Sequence, residues 1–227
     1  MAASTSIRAA RCRDVVSATH DHAALMDGVY RYQRYIYDFT RKYYLFGRDR
    51  LVDELALAPG ARLVEVGCGT ARNLIRIARR YPEARLFGLD ASEAMLETAA
   101  KAIARAGLSS RIALAHGYAE KLAPAMFGVE APFDDIVFSY SLSMIPDWRG
   151  SLDAARAALA PGGRIHIVDF GDLKGFAKPL RTALLAWLRL FHVAPRTELL
   201  GALEGRGDFR VLTGRYAFLF RGTGDSV

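Results

Sequence analysis

Two glycines separated by one residue, Gly67 and Gly69, follow the apolar run 63–66 and precede a helical pattern that begins near Leu74. A strand, a glycine turn and a helix in that order bring the backbone close to a ligand, because glycine has no Cβ to hold the ligand away. The unpaired amides and the dipole at the start of the helix favour an anionic or oxygen-rich group there. The sequence therefore predicts a cofactor site at this turn.

An acidic residue stands where a nucleotide-type cofactor would need one. A second apolar run, Arg85 to Asp90, ends in a carboxylate 23 positions after Gly67, and a carboxylate at that spacing can accept both hydroxyls of a ribose. A nicotinamide dinucleotide and S-adenosylmethionine both remain open, as does a turn that binds no ligand and an Asp90 that contacts only solvent. The sixth position of a dinucleotide fingerprint is Arg72 rather than glycine, and its side chain would crowd a pyrophosphate. This departure favours S-adenosylmethionine, which has no phosphate.

The elements that position these residues alternate between strand and helix patterns. Ser92 is expected to cap an alanine-rich helix that runs to Ala106. Further strands are predicted at 111–115, 135–139 and 164–169, and a closing hairpin at 209–212 and 216–221. This alternation predicts a parallel, doubly wound sheet. Ligands of such sheets bind beyond the carboxyl ends of the strands, where the prediction places Gly67, Asp90, His116, Tyr140 and Asp169.

Size and composition limit the classes of protein to consider. The chain has 227 residues, which is about one domain, and 52% hydrophobic with 24% charged residues is typical of a globular protein. No stretch supplies the roughly 20 uninterrupted apolar residues that a membrane span needs. Residues 1–19 lack the apolar core of a signal peptide, so we expect a loose tail and a reduced cytoplasmic setting in which Cys12 and Cys68 do not pair.

The basic charge is concentrated beside aromatic and apolar residues. A formal net charge of +7 suggests nucleic acid or an anionic membrane as the partner. Segment 28–50 holds six of the ten tyrosines together with six basic residues, and predicts one or two basic, aromatic helices. Segment 178–193 predicts an amphipathic helix that either packs on the core or dips into lipid head groups. Its apolar face comprises Leu180, Leu184, Trp187, Leu188 and Phe191.

With these residues in place, the chain resembles the class I S-adenosylmethionine-dependent methyltransferases over about residues 63–221. The resemblance rests on Val-Glu-Val-Gly-Cys-Gly-Thr, Leu-Asp-Ala-Ser, Leu-Ala-Pro-Gly-Gly-Arg and the terminal hairpin. Segments 30–50 and 138–148, the second reading Phe-Ser-Tyr-Ser-Leu-Ser-Met-Ile-Pro-Asp-Trp, further resemble the bacterial diacylglyceryl-homoserine N-methyltransferases of betaine-lipid synthesis.

The resemblance implies an α/β fold of the Rossmann-like class I methyltransferase type. We expect a seven-stranded, mostly parallel sheet with a terminal antiparallel hairpin and an N-terminal helical cap. The whole chain, 1–227, is then a single methyltransferase domain, with a flexible tail at 1–25, the cap at 26–58 and the core at 61–223.

The resemblance also implies a set of residues that bind the cofactor, S-adenosyl-L-methionine, and its product S-adenosyl-L-homocysteine. Two departures from the family pattern affect this site. Ala71 stands where a third glycine is frequent, and Tyr118 stands where an acid usually meets the adenine amine, so that Tyr118 would stack on the base or Glu120 would replace the acid. The implied cofactor residues are Arg48, Glu65, Gly67, Cys68, Gly69, Asn73, Asp90, Ala91, Met95, Tyr118, Ala119 and Ser139.

The implied reaction is in-line transfer of the sulfonium methyl group to a nitrogen, without a metal. The catalytic residues would be Tyr37, Tyr140 and Asp169: the aromatic rings would hold the methylated ammonium, and Asp169, Tyr140 or a bound water would accept a proton before each attack. Arg41, Tyr44, Ser141 and Met144 would bind the substrate. Arg41 is the first choice for the homoserine carboxylate and Arg48 the second, although either could instead bind the cofactor carboxylate.

The predicted function is therefore successive N-methylation of a lipid head group, diacylglyceryl-homoserine in the first instance. Phosphatidylethanolamine methylation, nucleic-acid methylation and noncatalytic cofactor binding at a membrane are the alternatives, although nucleic acid is not the partner we expect. The partners would be a lipid at an anionic membrane and the enzyme that makes the homoserine lipid. The protein would be a monomer or homo-oligomer, cytoplasmic and peripherally membrane-associated.

Overall fold

The computed structural model describes residues 45–189 and 195–227. The elements below all lie in one compact unit, Phe46–Val227. Most of the predicted helical cap falls outside the described residues. Among the helices that are described, none is both long enough and apolar enough to cross a bilayer.

Strands and helices alternate as the sequence predicts. The helices are α1 (Arg48–Glu54), α2 (Arg72–Arg80), α3 (Glu93–Arg105), α4 (Trp148–Ala158), α5 (Lys178–Arg189) and α6 (Thr197–Leu203). The strands are β1 (Arg62–Val66), β2 (Arg85–Asp90), β3 (Ile112–His116), β4 (Phe133–Ser139), β5 (Leu159–Phe170), β6 (Asp208–Leu212) and β7 (Ala217–Gly222). Short 3₁₀ turns lie at Ala119–Lys121, Pro124–Phe127 and Gly224–Ser226.

The seven strands form one sheet in the order β3-β2-β1-β4-β5-β7-β6. The first five strands of the chain pair in parallel, and β7 is antiparallel to both β5 and β6. Strands β2 and β3 are added on one side of β1, and β4 and β5 on the other, so a crevice opens where the parallel neighbours β1 and β4 end. In doubly wound sheets, ligands bind at such a crevice. The fold class is therefore the one predicted, including the closing hairpin.

The core consists of the central strands and the helices that cover them. The alternating apolar residues of β1, β4 and β5 are almost completely buried, and α4 and α6 pack their apolar faces against them. Since parallel strands are covered on both faces, they require near-continuous apolar runs. The core thereby fixes the strand ends that carry the site.

Three local predictions are tested directly. Ser92 caps α3, since its hydroxyl accepts a hydrogen bond from the Met95 N–H at 3.3 Å. The amphipathic pattern from Arg48 to Leu57 predicts a helix over that whole segment, but α1 ends at Glu54. The segment Ala160-Pro161-Gly162-Gly163 predicts a tight turn before the fifth strand, but it lies inside β5. It is an irregularity of that strand, because the pairing of β4 with β5 shifts register across it.

Candidate functional site

The glycine turn after β1 lies directly against the loop after β4. Gly67 has φ +73°, and a Cβ at this position would come within 2.6 Å of the Ser141 Cβ. Any side chain at Gly67 would therefore both strain the backbone and displace the neighbouring loop. This contact brings the predicted cofactor turn against residues 141–145, which carry the predicted substrate residues Ser141 and Met144. We call this segment the acceptor loop, after the methyl acceptor it is predicted to bind.

The amides of this turn are used within the protein, which corrects the prediction that they face the ligand. The N–H groups of Gly67 and Cys68 both donate to the carbonyl of Leu89, at 2.8 and 3.0 Å. The N–H of Gly69 donates to Oδ2 of Asp90 at 2.8 Å. None of these three amides is therefore a free donor, and the two glycines present bare backbone. Such a surface suits a cation better than a pyrophosphate.

Asp90 lies at the end of β2, where the sequence predicts it. Its carboxylate also accepts the N–H of Ser92, at 2.9 Å to Oδ1. Each oxygen therefore has one backbone donor and keeps acceptor capacity for another. The side chain is partly exposed at the mouth of the crevice. It is held in one orientation, and it remains able to accept two hydroxyl groups.

Glu65 and Asn73 form a buried polar pair beneath the turn. The Asn73 Nδ2 donates to Oε1 of Glu65 at 2.6 Å, and the two residues are 6% and 2% exposed. Glu65 Oε2 and Asn73 Oδ1 have no hydrogen-bond partner among the described residues. Burial raises the pKa of Glu65 to about 7, which the Asn73 hydrogen bond and the charge of Arg48 partly oppose. Buried acceptors without donors indicate a place for a positively charged or hydrogen-donating group.

The predicted adenine side lies at the ends of β2 and β3. Ala91 and Tyr118 are exposed, Tyr118 to 65%, whereas Met95 is half-buried and Ala119 is buried. A ring nitrogen of His116 lies 3.0 Å from the carbonyl of Ala91 and so ties the two strand ends together. The exposed ring of Tyr118 is free of packing that would prevent it from stacking on a base.

Cys68 and Arg72 differ from the prediction, whereas Ala71 packs at the start of the helix as a small residue there is expected to. The Cys68 side chain is buried beneath β2, and burial raises the pKa of its thiol well above the usual value. The Cys68 amide donates to the Leu89 carbonyl, so Cys68 stabilises the turn through buried contacts. Arg72 does not crowd the turn, because its guanidinium binds Asp49 of α1 at 2.8 Å. Ala71 is fully buried and left-handed, with φ +61°.

On the acceptor side, the loop after β4 carries Ser139, Ser141 and Met144. The hydroxyls of Ser139 and Ser141 are buried without a hydrogen-bond partner among the described residues, whereas Met144 is 42% exposed. The loop therefore buries polar atoms that have no partner among the described residues, and it exposes an apolar side chain. The three residues lie at the end of β4 and in the loop beside the glycine turn, and their roles in binding stay predictions.

Tyr140 does not provide the open aromatic face that the sequence predicts. Its ring is 2% exposed and packs edge-to-face on Phe170, with the centroids 4.7 Å apart. Its hydroxyl donates to the carbonyl of Phe46, and burial raises the pKa of this hydroxyl well above the usual value. Tyr140 is therefore a neutral phenol, and its hydroxyl proton is already donated to Phe46. It does not form the phenolate that would accept a proton from the substrate.

Asp169 is wholly buried, which corrects its predicted role as the direct proton acceptor. Its Oδ2 accepts the N–H of Ser143 at 2.9 Å, and its Oδ1 accepts the N–H of Phe170 at 2.8 Å. Burial raises the pKa of Asp169 to about 6, opposed by these hydrogen bonds and by the charge of Arg196. Asp169 holds the acceptor loop in place from below.

Other predicted residues lie outside the described part of the chain, and some contributors were not predicted. Tyr37, Arg41 and Tyr44 belong to the first group, so their roles stay predictions. Phe46 and Arg196 belong to the second. No sequence signal could have revealed them, because their partners are backbone carbonyls or a hydroxyl in distant segments. Within the described ranges, no cluster of His, Cys, Asp or Glu could hold a metal ion.

The residues of the crevice fit S-adenosylmethionine. This cofactor carries a sulfonium and an ammonium group, and Glu65 Oε2 and Asn73 Oδ1 are buried acceptor atoms without a partner among the described residues. Asp90 supplies the acceptor for ribose hydroxyls. A dinucleotide pyrophosphate would instead need the amides that Leu89 and Asp90 already occupy.

The comparisons with known proteins agree with this cofactor. Residues 63–163 match the family model described as a methyltransferase domain. Over these residues the chain is similar to methyltransferase domains, and S-adenosylmethionine is the cofactor that this similarity implies.

Two curated relatives and one solved structure illustrate the likeness. The ubiquinone/menaquinone biosynthesis C-methyltransferase UbiE of Geotalea daltonii is 29% identical over 59% of this chain and 58% of its own. The trans-aconitate 2-methyltransferase of Streptomyces avermitilis is 38% identical over 50% of this chain and 40% of its own. The chain thus spans about half the length of these relatives. A methyltransferase structure from Aquifex aeolicus shares the fold, with a TM-score of 0.57, 18% identity and coverage of 80% of this chain and 91% of its own.

Proposed function

We propose that this protein transfers methyl groups from S-adenosylmethionine to the amine of a membrane lipid, and that diacylglyceryl-homoserine is the acceptor. One observation carries the proposal. The described segment that resembles the homoserine-lipid enzymes, 138–148, is the same loop that packs against the cofactor turn at Gly67. Residues at that contact meet the group that receives the methyl.

The charge of α5 supports a lipid acceptor. This helix contains Lys178, Arg181 and Arg189 but no acidic residue, and Leu188 is its only buried residue. Its exposed Leu180 leaves apolar surface beside these cations. A basic helix with an apolar face is suited to the head-group region of an anionic bilayer. Helix α5 also follows β5 in the chain and therefore starts from the edge of the sheet where the cofactor binds.

The chemistry required of the protein is chiefly alignment. The bound cofactor supplies a methyl group on a good leaving group, so holding the amine in line can contribute roughly 7 to 11 kcal/mol. In each transfer a carbon–sulfur bond breaks, a carbon–nitrogen bond forms and one proton leaves the amine, until the third methyl gives a quaternary nitrogen. Since Asp169 is buried and Tyr140 is neutral, water in the crevice takes the proton, and the serine hydroxyls of the loop orient the amine.

The decisive experiment combines purified full-length protein, methyl-labelled cofactor and vesicles that contain diacylglyceryl-homoserine, with lipid mass spectrometry as the readout. We expect mass gains of one, two and three methyl groups on the homoserine lipid. Vesicles with phosphatidylethanolamine in its place are the matched control and should gain far less. Cofactor binding without any gain on the homoserine lipid would refute the acceptor assignment.

A second candidate is C-methylation of a quinone precursor. The likeness to the quinone-pathway C-methyltransferase favours it, since such precursors are also membrane lipids but present a carbon nucleophile. A demethylated quinone in the same vesicles provides the test. Label on a quinone carbon, with none on the amino lipid, would establish this alternative.

A further inference from the structure

The acceptor loop is held from two sides by groups of opposite charge. On one side, the Asp169 carboxylate accepts the Ser143 N–H at 2.9 Å. On the other, the guanidinium of Arg196 donates to two carbonyls, from Nε to Leu142 at 3.1 Å and from a terminal nitrogen to Ile145 at 2.9 Å. Neither the strand before the loop nor the helix after it supplies these contacts.

The contacts of Arg196 span the whole bend of the loop. Within the bend, the amides of Met144 and Ile145 both donate to the carbonyl of Ser141. Arg196 is partly buried at the position before α6, and a planar guanidinium can bind two carbonyls at once, which an ammonium on a flexible stem does less well. The loop residue at the cofactor turn, Ser141, therefore lies directly before the segment that Arg196 fixes.

We propose that Arg196 is a positioning residue for the methyl acceptor. It holds the 141–145 loop so that Ser141 stays against Gly67 and the acceptor's nucleophile is aligned with the cofactor. Only the identity of the methyl acceptor in this proposal rests on the proposed function. Fixing the loop itself does not depend on which nucleophile the loop receives.

The test compares Arg196→Gln and Arg196→Lys with Arg149→Gln in the full chain. Arg149 is the matched control, because it is an exposed arginine that also reaches α6, through Glu198 at 3.1 Å. In Arg196→Gln we expect the KM for the lipid acceptor to rise at least 10-fold while the Kd for the cofactor changes less than 2-fold. Arg196→Lys should recover part of this loss, and Arg149→Gln should match the wild type.

A second readout needs no substrate. Hydrogen exchange of the Ser143 and Ile145 amides should accelerate at least 10-fold in Arg196→Gln and stay unchanged in Arg149→Gln. If exchange accelerates but the wild type methylates no amino lipid, the positioning role stands and the proposed function falls. Unchanged exchange would overturn the role of Arg196. An equal fold-increase in the Kd for the cofactor and in the KM for the lipid acceptor would overturn it as well.

Discussion

At the scale of single residues, the site is defined by which polar groups remain without partners after folding. The turn amides are consumed by Leu89 and Asp90, whereas Glu65 and Asn73 keep free acceptor atoms in the interior. Burial of such acceptors is unfavourable unless a donor or cation arrives. The free acceptor atoms of Glu65 and Asn73 therefore complement the positive charge of the cofactor.

Glu65 gives the first prediction at this scale. Its pKa is about 7 in the folded protein against 4.5 for the free group, so the folded state holds a proton that the unfolded state loses between these values. The contribution of Glu65 to stability is thus present below about pH 4.5 and lost as the pH rises through 7. Replacing it by Gln should remove this loss, so Glu65→Gln should be about 3 kcal/mol more stable than the wild type at pH 8.

Urea denaturation of both proteins between pH 4.5 and pH 8 measures this difference. It should shrink towards zero at the acidic end. Glu97→Gln, which changes an exposed acid of α3, is the control and should show no such pH trend. A difference between Glu65→Gln and the wild type that is constant with pH would contradict the raised pKa.

Asp90 gives the second prediction. Its carboxylate is pre-oriented by two backbone donors, and hydrogen bonds to a charged acceptor are worth about 1.5 to 3 kcal/mol each. We expect Asp90→Ala to weaken cofactor binding about 100-fold by calorimetry. Glu93→Ala removes a nearby exposed acid and should change the affinity less than 2-fold. An Asp90→Ala protein that binds the cofactor as well as the wild type would remove Asp90 from the site.

At the scale of elements, the start of α2 is the most constrained junction. Ala71 is its N-cap residue, fully buried and left-handed, with no side-chain cap. The left-handed conformation costs L-residues roughly 1 to 2 kcal/mol and is worst for β-branched side chains. The chain tolerates this strain because α2 must begin immediately after the glycine turn.

Substitution of Ala71 tests this constraint. Ala71→Val should lower the free energy of unfolding by more than about 2 kcal/mol, since it adds strain and overpacks a buried position. Ala71→Gly should stay within about 1 kcal/mol, because relief of strain offsets the extra entropy of the unfolded chain. Chemical denaturation measures both. Ala104→Val, on the exposed face of α3, should cost only its helix propensity, and an equal cost at both alanines would show that Ala71 is unstrained.

At the scale of the whole molecule, the excess of basic charge is unevenly distributed. The net charge is +7, and α5 concentrates cations without acids on a helix that is mostly exposed. Each Lys or Arg near an anionic surface contributes about 1 kcal/mol, screened by salt. The proposed lipid acceptor therefore requires binding to anionic vesicles that weakens as ionic strength rises.

The matching experiment is vesicle sedimentation with phosphatidylserine-containing and neutral vesicles. We expect Lys178→Gln/Arg189→Gln to bind anionic vesicles about 30-fold more weakly, which follows from about 2 kcal/mol for two charges. Lys101→Gln/Arg105→Gln removes the same charge from exposed positions of α3 and serves as the control. Equal weakening by both pairs would indicate a diffuse charge effect rather than a docking helix.

The sequence alone was sufficient to predict the seven strands in chain order, the closing hairpin, the Ser92 cap and the crevice that holds Gly67 and Asp90, although it did not indicate helix α6. These features are local or follow from chain order, because side-chain periodicity and turn residues act over a few positions. A nucleotide-type cofactor was also predictable, since the acid at the end of β2 has a fixed spacing from the turn, and the family resemblance then singled out S-adenosylmethionine.

Only the tertiary structure decided which atoms are available. The amides of the turn, the face of Tyr140 and the carboxylate of Asp169 were all predicted to face ligands, and each is engaged by a partner from another segment. Arg196 contacts carbonyls more than 50 positions earlier in the chain. Burial and hydrogen-bond partners arise when distant segments pack together, and backbone carbonyls have no side-chain identity that a sequence pattern could reveal.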